Sequence, residues 1–199
     1  MAITTYAELQ TAAANWLARA DLTSRIPEFI VLAEAKFNRT LRTRDMVYKD
    51  ASFSITGEYV ACPTGFLEPV SLKLNNSPRS AVTYLPEDMQ VIQYPYASGT
   101  PKFYDVIGSN LRFAPVPDAT YTATFTYYKA ITALASGVNW LLTSHPDIYL
   151  YGTLLEAAPF LYDDPRIAVW ASALKECQGQ LNWQNKRSNT ANGMAVRAA

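Results

Sequence analysis

The chain has 199 residues, and its 17 lysine and arginine residues balance its 17 aspartate and glutamate residues, so the formal net charge is zero. This balance excludes proteins that need a cationic surplus over the whole surface, such as sequence-independent nucleic-acid clamps and membrane-surface proteins with a basic face. Hydrophobic residues make up 49% of the chain and charged residues only 17%, against a usual charged share of about 25%. The composition therefore predicts a folded protein whose surface is poor in charge.

Residues 1–44 predict two amphipathic helices. Thr5 and Glu8 form a capping-box pattern at the start of the first helix. The second helix is expected to begin near Pro27, because proline is tolerated in a first turn, and its apolar residues recur every three or four positions to about Arg42. Two such helices cannot bury both apolar faces against each other, so a third element must complete the layer.

The hydrophobic period changes from helical to alternating near Asp45. Short alternating runs separated by turn residues predict a compact antiparallel β unit over residues 45–130, with a short helix at residues 86–93. No stretch of the chain approaches the roughly 18 apolar residues of a membrane span, and the N-terminal residues do not resemble a targeting signal.

Helical sequence returns in residues 131–186, where Ser144 begins a second pattern typical of a helix N-terminus. Residues 187–199 are small and polar without periodicity, which predicts a flexible tail. No acidic residue follows Glu176, so the end of the chain is basic. The predicted fold class is α+β: a helical bundle built from the N- and C-terminal helices, with the antiparallel β unit inserted between them as an outgrowth.

The sequence offers no pattern typical of an enzyme. The only histidine, His145, lies at a predicted helix start, and Cys62 and Cys177 are isolated, so no metal-ligand cluster is expected. Phosphate-binding glycine motifs and the GxSxG nucleophile motif are absent from the sequence. The carboxylate pairs at residues 87–88 and 163–164 lie at predicted helix starts, where negative charge stabilises the helix dipole. We predict no catalytic residues, no metal and no cofactor.

Two surface features allow a functional interpretation. Lys36, Arg39, Arg42 and Arg44 place positive charge along the end of the second helix. They form either a solvated face near the C-terminal dipole or a basic stripe that faces DNA or a neighbouring subunit, and the sequence leaves both open. Aromatic residues make up 13% of the chain. Many tyrosines and tryptophans with few charges are typical of protein contact surfaces, which favours extensive subunit interfaces.

An ordered set of short sequences carries a family resemblance. The set comprises TYAELQ at residues 5–10, WLARADL at 16–22, IPEFI at 26–30, LAEA at 32–35, LR at 41–42, GTPKFY at 99–104, FAPVP at 113–117, HPDIYLYG at 145–152 and LEAAP at 155–159. In this order, and over nearly the whole chain, they resemble the head-to-tail adaptor (connector) proteins of tailed bacteriophages. None of these motifs carries chemistry, so the specificity of the resemblance comes from their order.

The resemblance implies a structural virion protein that is not an enzyme. Such adaptors form a ring, usually of twelve copies, beneath the portal protein at the capsid vertex, where they line the passage of genomic DNA. A tail or nozzle protein binds the opposite end, and assembly takes place in the host cytoplasm without a membrane partner. The C-terminal segment docks on the portal. On this chain, the residues expected to do so are Lys186, Arg187, Ser188, Asn189, Met194, Val196 and Arg197.

Two other functions stay open at this stage. The tyrosine and tryptophan content also fits a carbohydrate-binding or hydrolytic tail component, in which Glu87 or Asp88 would act. The cations between Lys36 and Lys49 also fit a regulator that binds nucleic acid.

Overall fold

The structure is a computed structural model that describes residues 2–89, 97–162 and 164–191, with the backbone alone for residues 187–191. The chain folds into two compact units. The helical unit combines the residues up to Asp45 with those from Ile131 onwards, and the sheet unit comprises Met46–Ala130.

The N-terminal part of the helical unit contains α1 (Tyr6–Leu17) and α2 (Ile26–Thr40), joined by a 3-10 helix over Ala20–Arg25. The predicted capping box is confirmed, because the Glu8 amide donates to Thr5 Oγ1 at 3.3 Å and the Thr5 amide donates to Glu8 Oε2 at 3.0 Å. These two bonds satisfy amide groups that a helix start otherwise leaves without partners.

The C-terminal part contains three helices, α3 (Trp140–Ser144), α4 (Pro146–Glu156) and α5 (Arg166–Ala191). The helix predicted to start at Ser144 is α4, which begins at Pro146, and His145 rather than Ser144 occupies its N-cap position. Helix α3, which ends at Ser144, was not predicted; Asn139 caps it, and its Oδ1 accepts from the Leu142 amide at 3.0 Å.

Helix α4 is the centre of the helical unit, and α1, α2 and α5 all pack on it. Its Tyr149 ring meets the Phe37 ring of α2 edge to face, with the ring centroids 5.4 Å apart. Both side chains are fully buried. The close approach of α2 and α4 depends on Gly152, because a Cβ there would lie 2.4 Å from Phe37 Cζ.

The sheet unit contains seven strands. They are β1 (Val47–Ile55), β2 (Tyr59–Ala61), β3 (Phe66–Leu74), β4 (Ser80–Tyr84), β5 (Phe103–Ile107), β6 (Asn110–Ala114) and β7 (Tyr121–Lys129). Their order in the sheet is β1-β7-β3-β4-β5-β6-β2, and the neighbouring strands are antiparallel except for the parallel pair β4–β5. The sheet curls around one apolar core, to which six strands contribute buried residues such as Phe53, Leu72, Val82, Tyr104, Phe113 and Phe125.

The predicted fold, a helical bundle with an inserted antiparallel β unit, is therefore wrong. The protein is an α+β fold with a curled, mixed, seven-stranded sheet, rather than a bundle of terminal helices that carries a small antiparallel outgrowth. Among the described residues, β4 ends at Tyr84 and the next strand, β5, begins at Phe103. A connection of that length allows the parallel pairing, which short hairpin patterns do not reveal. Residues 87–89 of the predicted short helix are helical, and residues 90–96 lie outside the described part of the chain.

Candidate assembly interfaces

In the predicted basic stripe, two side chains bond within the helical unit and two are exposed. Lys36 Nζ contacts Glu156 Oε1 of α4 at 3.3 Å. Arg42 is half-buried and donates from one nitrogen to the carbonyl oxygens of Asn38 and Leu41, at 2.8 and 2.6 Å, where the helix ends. These two cations stabilise the helical unit itself. Arg39, on α2, and Arg44, in the 3-10 helix Arg44–Met46 that follows it, are exposed.

A buried polar cluster lies on the inner side of α2. Glu34 is only 7% exposed, and its Oε1 accepts from the Leu134 amide at 2.8 Å and from the Tyr149 hydroxyl at 3.3 Å. Asn139 Nδ2 donates to the Tyr149 hydroxyl at 2.7 Å. Burial raises the pKa of Glu34 despite the two hydrogen bonds, and burial also raises the pKa of Tyr149.

This cluster fixes the chain that follows the sheet unit. Leu134 bonds to Glu34, and the Ile131 amide donates to Asn38 Oδ1 at 2.8 Å, so side chains of α2 hold residues 131–134 at two points. The structural role of Glu34 was not predicted from the sequence. Its position between Ala33 and Phe37, on the apolar face of α2, is the pattern that distinguishes it from a solvated acid.

Helix α5 is anchored near both ends. At its start, Arg166 pairs with Asp164 at 2.7 Å and donates to the carbonyl oxygens of Trp16 and Leu17, at 3.0 and 3.4 Å, which end α1. Near its other end, Asn185 Oδ1 accepts from the Arg44 amide at 3.1 Å. The residues after Asn185 therefore continue from a fixed point of the helical unit.

The predicted portal-binding residues occupy this end of the chain. Lys186 is exposed, and α5 continues through Arg187, Ser188 and Asn189 to Ala191. Met194, Val196 and Arg197 lie outside the described residues.

The sheet unit carries an open apolar groove. It is lined by Phe66, Leu67, Pro69, Val70, Tyr84 and Tyr104, among others. Within the described part of the chain, β4 pairs with β3 only from Leu72 onwards, so the first half of β3 lacks a strand on that side. Val70 and Tyr84 are about half exposed at the groove, which leaves apolar surface available for a partner.

The candidate acid of the hydrolytic alternative belongs to an ion-pair network. Arg112 donates to Glu87 Oε1 at 2.7 Å and to Glu58 Oε1 at 2.9 Å, and the Glu87 amide donates to Asp105 Oδ2 at 2.8 Å. This arrangement ties residue 87 to β6 and β5. The contacts give Glu87 a structural role, so they do not favour the hydrolytic alternative.

The two cysteines are free thiols. Burial raises the pKa of Cys62, and burial together with a hydrogen bond to Asp147 raises the pKa of Cys177 to about 11. Both thiols are therefore protonated at neutral pH, and this is the form that does not attack substrates. Among the residues that the structure describes, no group of three histidine, cysteine, aspartate or glutamate side chains could hold a metal ion. Within those same residues, no helix combines the length and apolar character needed to cross a membrane.

Comparison with known protein families assigns this chain to a family. A family model described as SU10 adaptor protein matches residues 4–197, which is nearly the entire chain. The chain belongs to the SU10 adaptor protein family. This membership confirms the predicted resemblance to phage head-to-tail adaptors and makes the protein a virion component. A search of curated proteins finds no match.

Proposed function

We propose that this protein forms a ring, of twelve copies, beneath the portal and connects the capsid to the tail. The portal binds one side of the ring, a tail or nozzle protein binds the other, and the ring encloses the DNA passage. The family match over residues 4–197 carries this proposal. The charge-poor composition supports it, because surfaces covered by other subunits are depleted in charged residues.

The C-terminal segment is the proposed portal-binding element. Anchoring of α5 by Arg166 and Asn185 gives this segment a fixed origin on each copy. Residues 187–199 contain two arginines and no acid, so they suit an acidic or hydrogen-bonding site on the portal.

Deleting residues 187–199 should abolish binding to isolated portal rings and leave the fold intact, because the anchoring contacts of α5 lie before the deletion. Co-sedimentation with portal measures the binding, and circular dichroism checks the helical content. A matched variant that lacks only residues 198–199 keeps every proposed portal-binding residue and should bind normally. Full binding by the longer deletion would refute the assignment of this segment.

The exposed cations on α2 and just after its end are proposed to face the DNA passage or a neighbouring subunit. A neutral chain with a few outward cations, Arg39 and Arg44 among them, can guide DNA without the strong retention that a densely basic lining would produce. A cryo-electron microscopy map of the adaptor on its portal tests the placement. A map with both arginines on the outer surface, away from DNA and from neighbouring copies, would contradict it.

A further inference from the structure

Helix α2 carries an exposed apolar face. Val31 and Leu32 are 56% and 51% exposed, and Glu28, Ala35 and Arg39 lie on the same side of the helix at intervals of three and four residues. We call these five residues the α2 stripe. The opposite side of α2 holds the buried residues that pack on α4. In the described part of the chain Ala35 is half-buried, and the other four residues of the stripe are exposed.

Helix α5 carries a second exposed face. Val169, Ser172, Glu176, Gly179 and Trp183 recur at intervals of three and four residues and are all exposed, Val169 by 66% and Trp183 by 61%. This spacing keeps them on one side of the helix over about four turns. We call them the α5 stripe.

No contact within the described part of its own copy explains why residue 179 is a glycine. Glycine weakens the interior of a helix relative to alanine, and nothing lies within 4 Å of the position that a Cβ of residue 179 would occupy. The contrast with Gly152, where a Cβ would collide with Phe37, is direct. A glycine in open space fits a position where the backbone of another molecule approaches closely.

The two stripes face different directions. Both helices pack on α4, and they make little contact with each other, so they lie on different sides of it. A contact between two different surfaces, repeated around a closing rotation, produces a ring. We propose that a second copy of this chain covers both stripes, with the α2 stripe of one copy packed on the α5 stripe of the next. This inference rests on the proposed ring.

An antiparallel crossing places three residues of the α2 stripe opposite three residues of the α5 stripe. With Leu32 opposite Trp183, the same register places Ala35 opposite Gly179 and Arg39 opposite Glu176. Among the described residues, neither Arg39 nor Glu176 has an ion-pair partner in its own copy, so the contact joins two available opposite charges. In this register Val169 and Ser172 lie beyond the end of α2 at Thr40. A parallel crossing that keeps the charge pair would instead leave Gly179 and Trp183 beyond that end, so Gly179 would not meet a helix backbone.

The first test places a bulky side chain at the closest approach. Gly179→Trp should prevent full-length adaptor from forming rings on isolated portal of the same phage, as seen by negative-stain electron microscopy. The fold should survive, because the new side chain points into open space, and circular dichroism checks this. The control, Ala171→Trp, makes a similar change at an exposed position of α5 outside the stripe and should leave the rings intact. Rings with Gly179→Trp, or loss of rings with both variants, would overturn the proposed contact.

A charge exchange tests the register. Arg39→Glu and Glu176→Arg should each weaken ring formation at least about tenfold, because like charges then face each other, and the double variant should recover it. Single variants that assemble normally, or a double variant without recovery, would refute the pairing while the ring itself stands. A wild-type chain that binds portal without forming a ring would overturn the proposed function together with this contact.

Discussion

Replacing Gly152 with alanine should lower the free energy of unfolding of the helical unit by about 1–3 kcal/mol, the usual range for overpacking a rigid core. The Cβ would lie 2.4 Å from Phe37 Cζ and 3.0 Å from Phe37 Cε1. The Phe37 ring is fully buried and packs edge to face on Tyr149, so it cannot move away freely. The loss should appear even though alanine favours a helix by about 1 kcal/mol over glycine.

The matched control is Gly179→Ala, the same substitution in a helix at a position with nothing within 4 Å. There the helix propensity acts alone, so stability should rise by up to about 1 kcal/mol. All four tryptophans belong to the helical unit, so their fluorescence during urea denaturation follows this unit specifically. Equal effects of the two substitutions would contradict the close packing of Gly152 on Phe37.

A double-mutant cycle with Phe37→Leu separates this clash from a general weakening of α4. Leucine is smaller than phenylalanine and lacks the ring atoms that a Cβ on residue 152 would meet. The pair Gly152→Ala and Phe37→Leu should therefore be more stable than the sum of the two single effects predicts. Strict additivity would show that the two residues do not interact.

The sequence predicted those features that depend on residues close together in the chain. The capping box of Thr5 and Glu8 and the helical periods of α1 and α2 are local patterns, and the structure contains them. The helix predicted from Ser144 is present but begins at Pro146, and the short helix before it, capped by Asn139, is too short to show a hydrophobic period in the sequence.

The sheet could not be predicted to the same extent, because its pairing is not local. Hairpin patterns indicate antiparallel neighbours, and they predicted an antiparallel unit throughout. The parallel contact between Thr83 and Phe103 joins residues that are far apart in the chain, and its formation depends on the connection between β4 and β5. The arrangement of the whole sheet around one core follows from such contacts.

The proposed interaction surfaces could not be located from the sequence. Composition indicated surface covered by subunits, but the stripes of α2 and α5 can be assigned only when burial distinguishes the covered side of each helix. Within the basic stripe, for example, Lys36 pairs with Glu156 and Arg39 is exposed. The sequence treats these two cations alike.

Removing the Glu34 carboxylate should strongly destabilise the helical unit. In the Glu34→Ala variant the Leu134 amide and the Tyr149 hydroxyl lose their buried acceptor, and each unsatisfied donor costs about 1–3 kcal/mol. The Glu34→Gln variant keeps an acceptor oxygen and should lose much less. Urea denaturation at pH 7, followed by tryptophan fluorescence, measures both. Equal losses in the two variants would show that the hydrogen bonds are not the reason for the effect.

The pH dependence of the stability difference between wild type and Glu34→Gln tests whether the Glu34 carboxylate is charged in a buried site. Burial raises the pKa of Glu34 in the folded state, whereas an unfolded glutamate titrates near about 4.3. Between these two pKa values the folded state binds a proton that the unfolded state lacks, so stability falls as the pH rises through this window. Wild type should therefore lose stability relative to Glu34→Gln from about pH 4 upwards. A difference that stays constant with pH would contradict a buried, titrating carboxyl group.

Tyr149→Phe distinguishes this titration from a general effect of the polar cluster. The substitution removes the hydroxyl that donates to Glu34 at 3.3 Å but keeps the buried carboxyl group. Because that hydrogen bond lowers the pKa of Glu34, its loss should raise this pKa further. The Tyr149→Phe variant should be less stable overall than wild type. The stability difference between Tyr149→Phe and the double variant Tyr149→Phe/Glu34→Gln should depend on pH at least as steeply as the difference between wild type and Glu34→Gln. A flat profile would assign the pH dependence to the tyrosine contact instead of the buried charge.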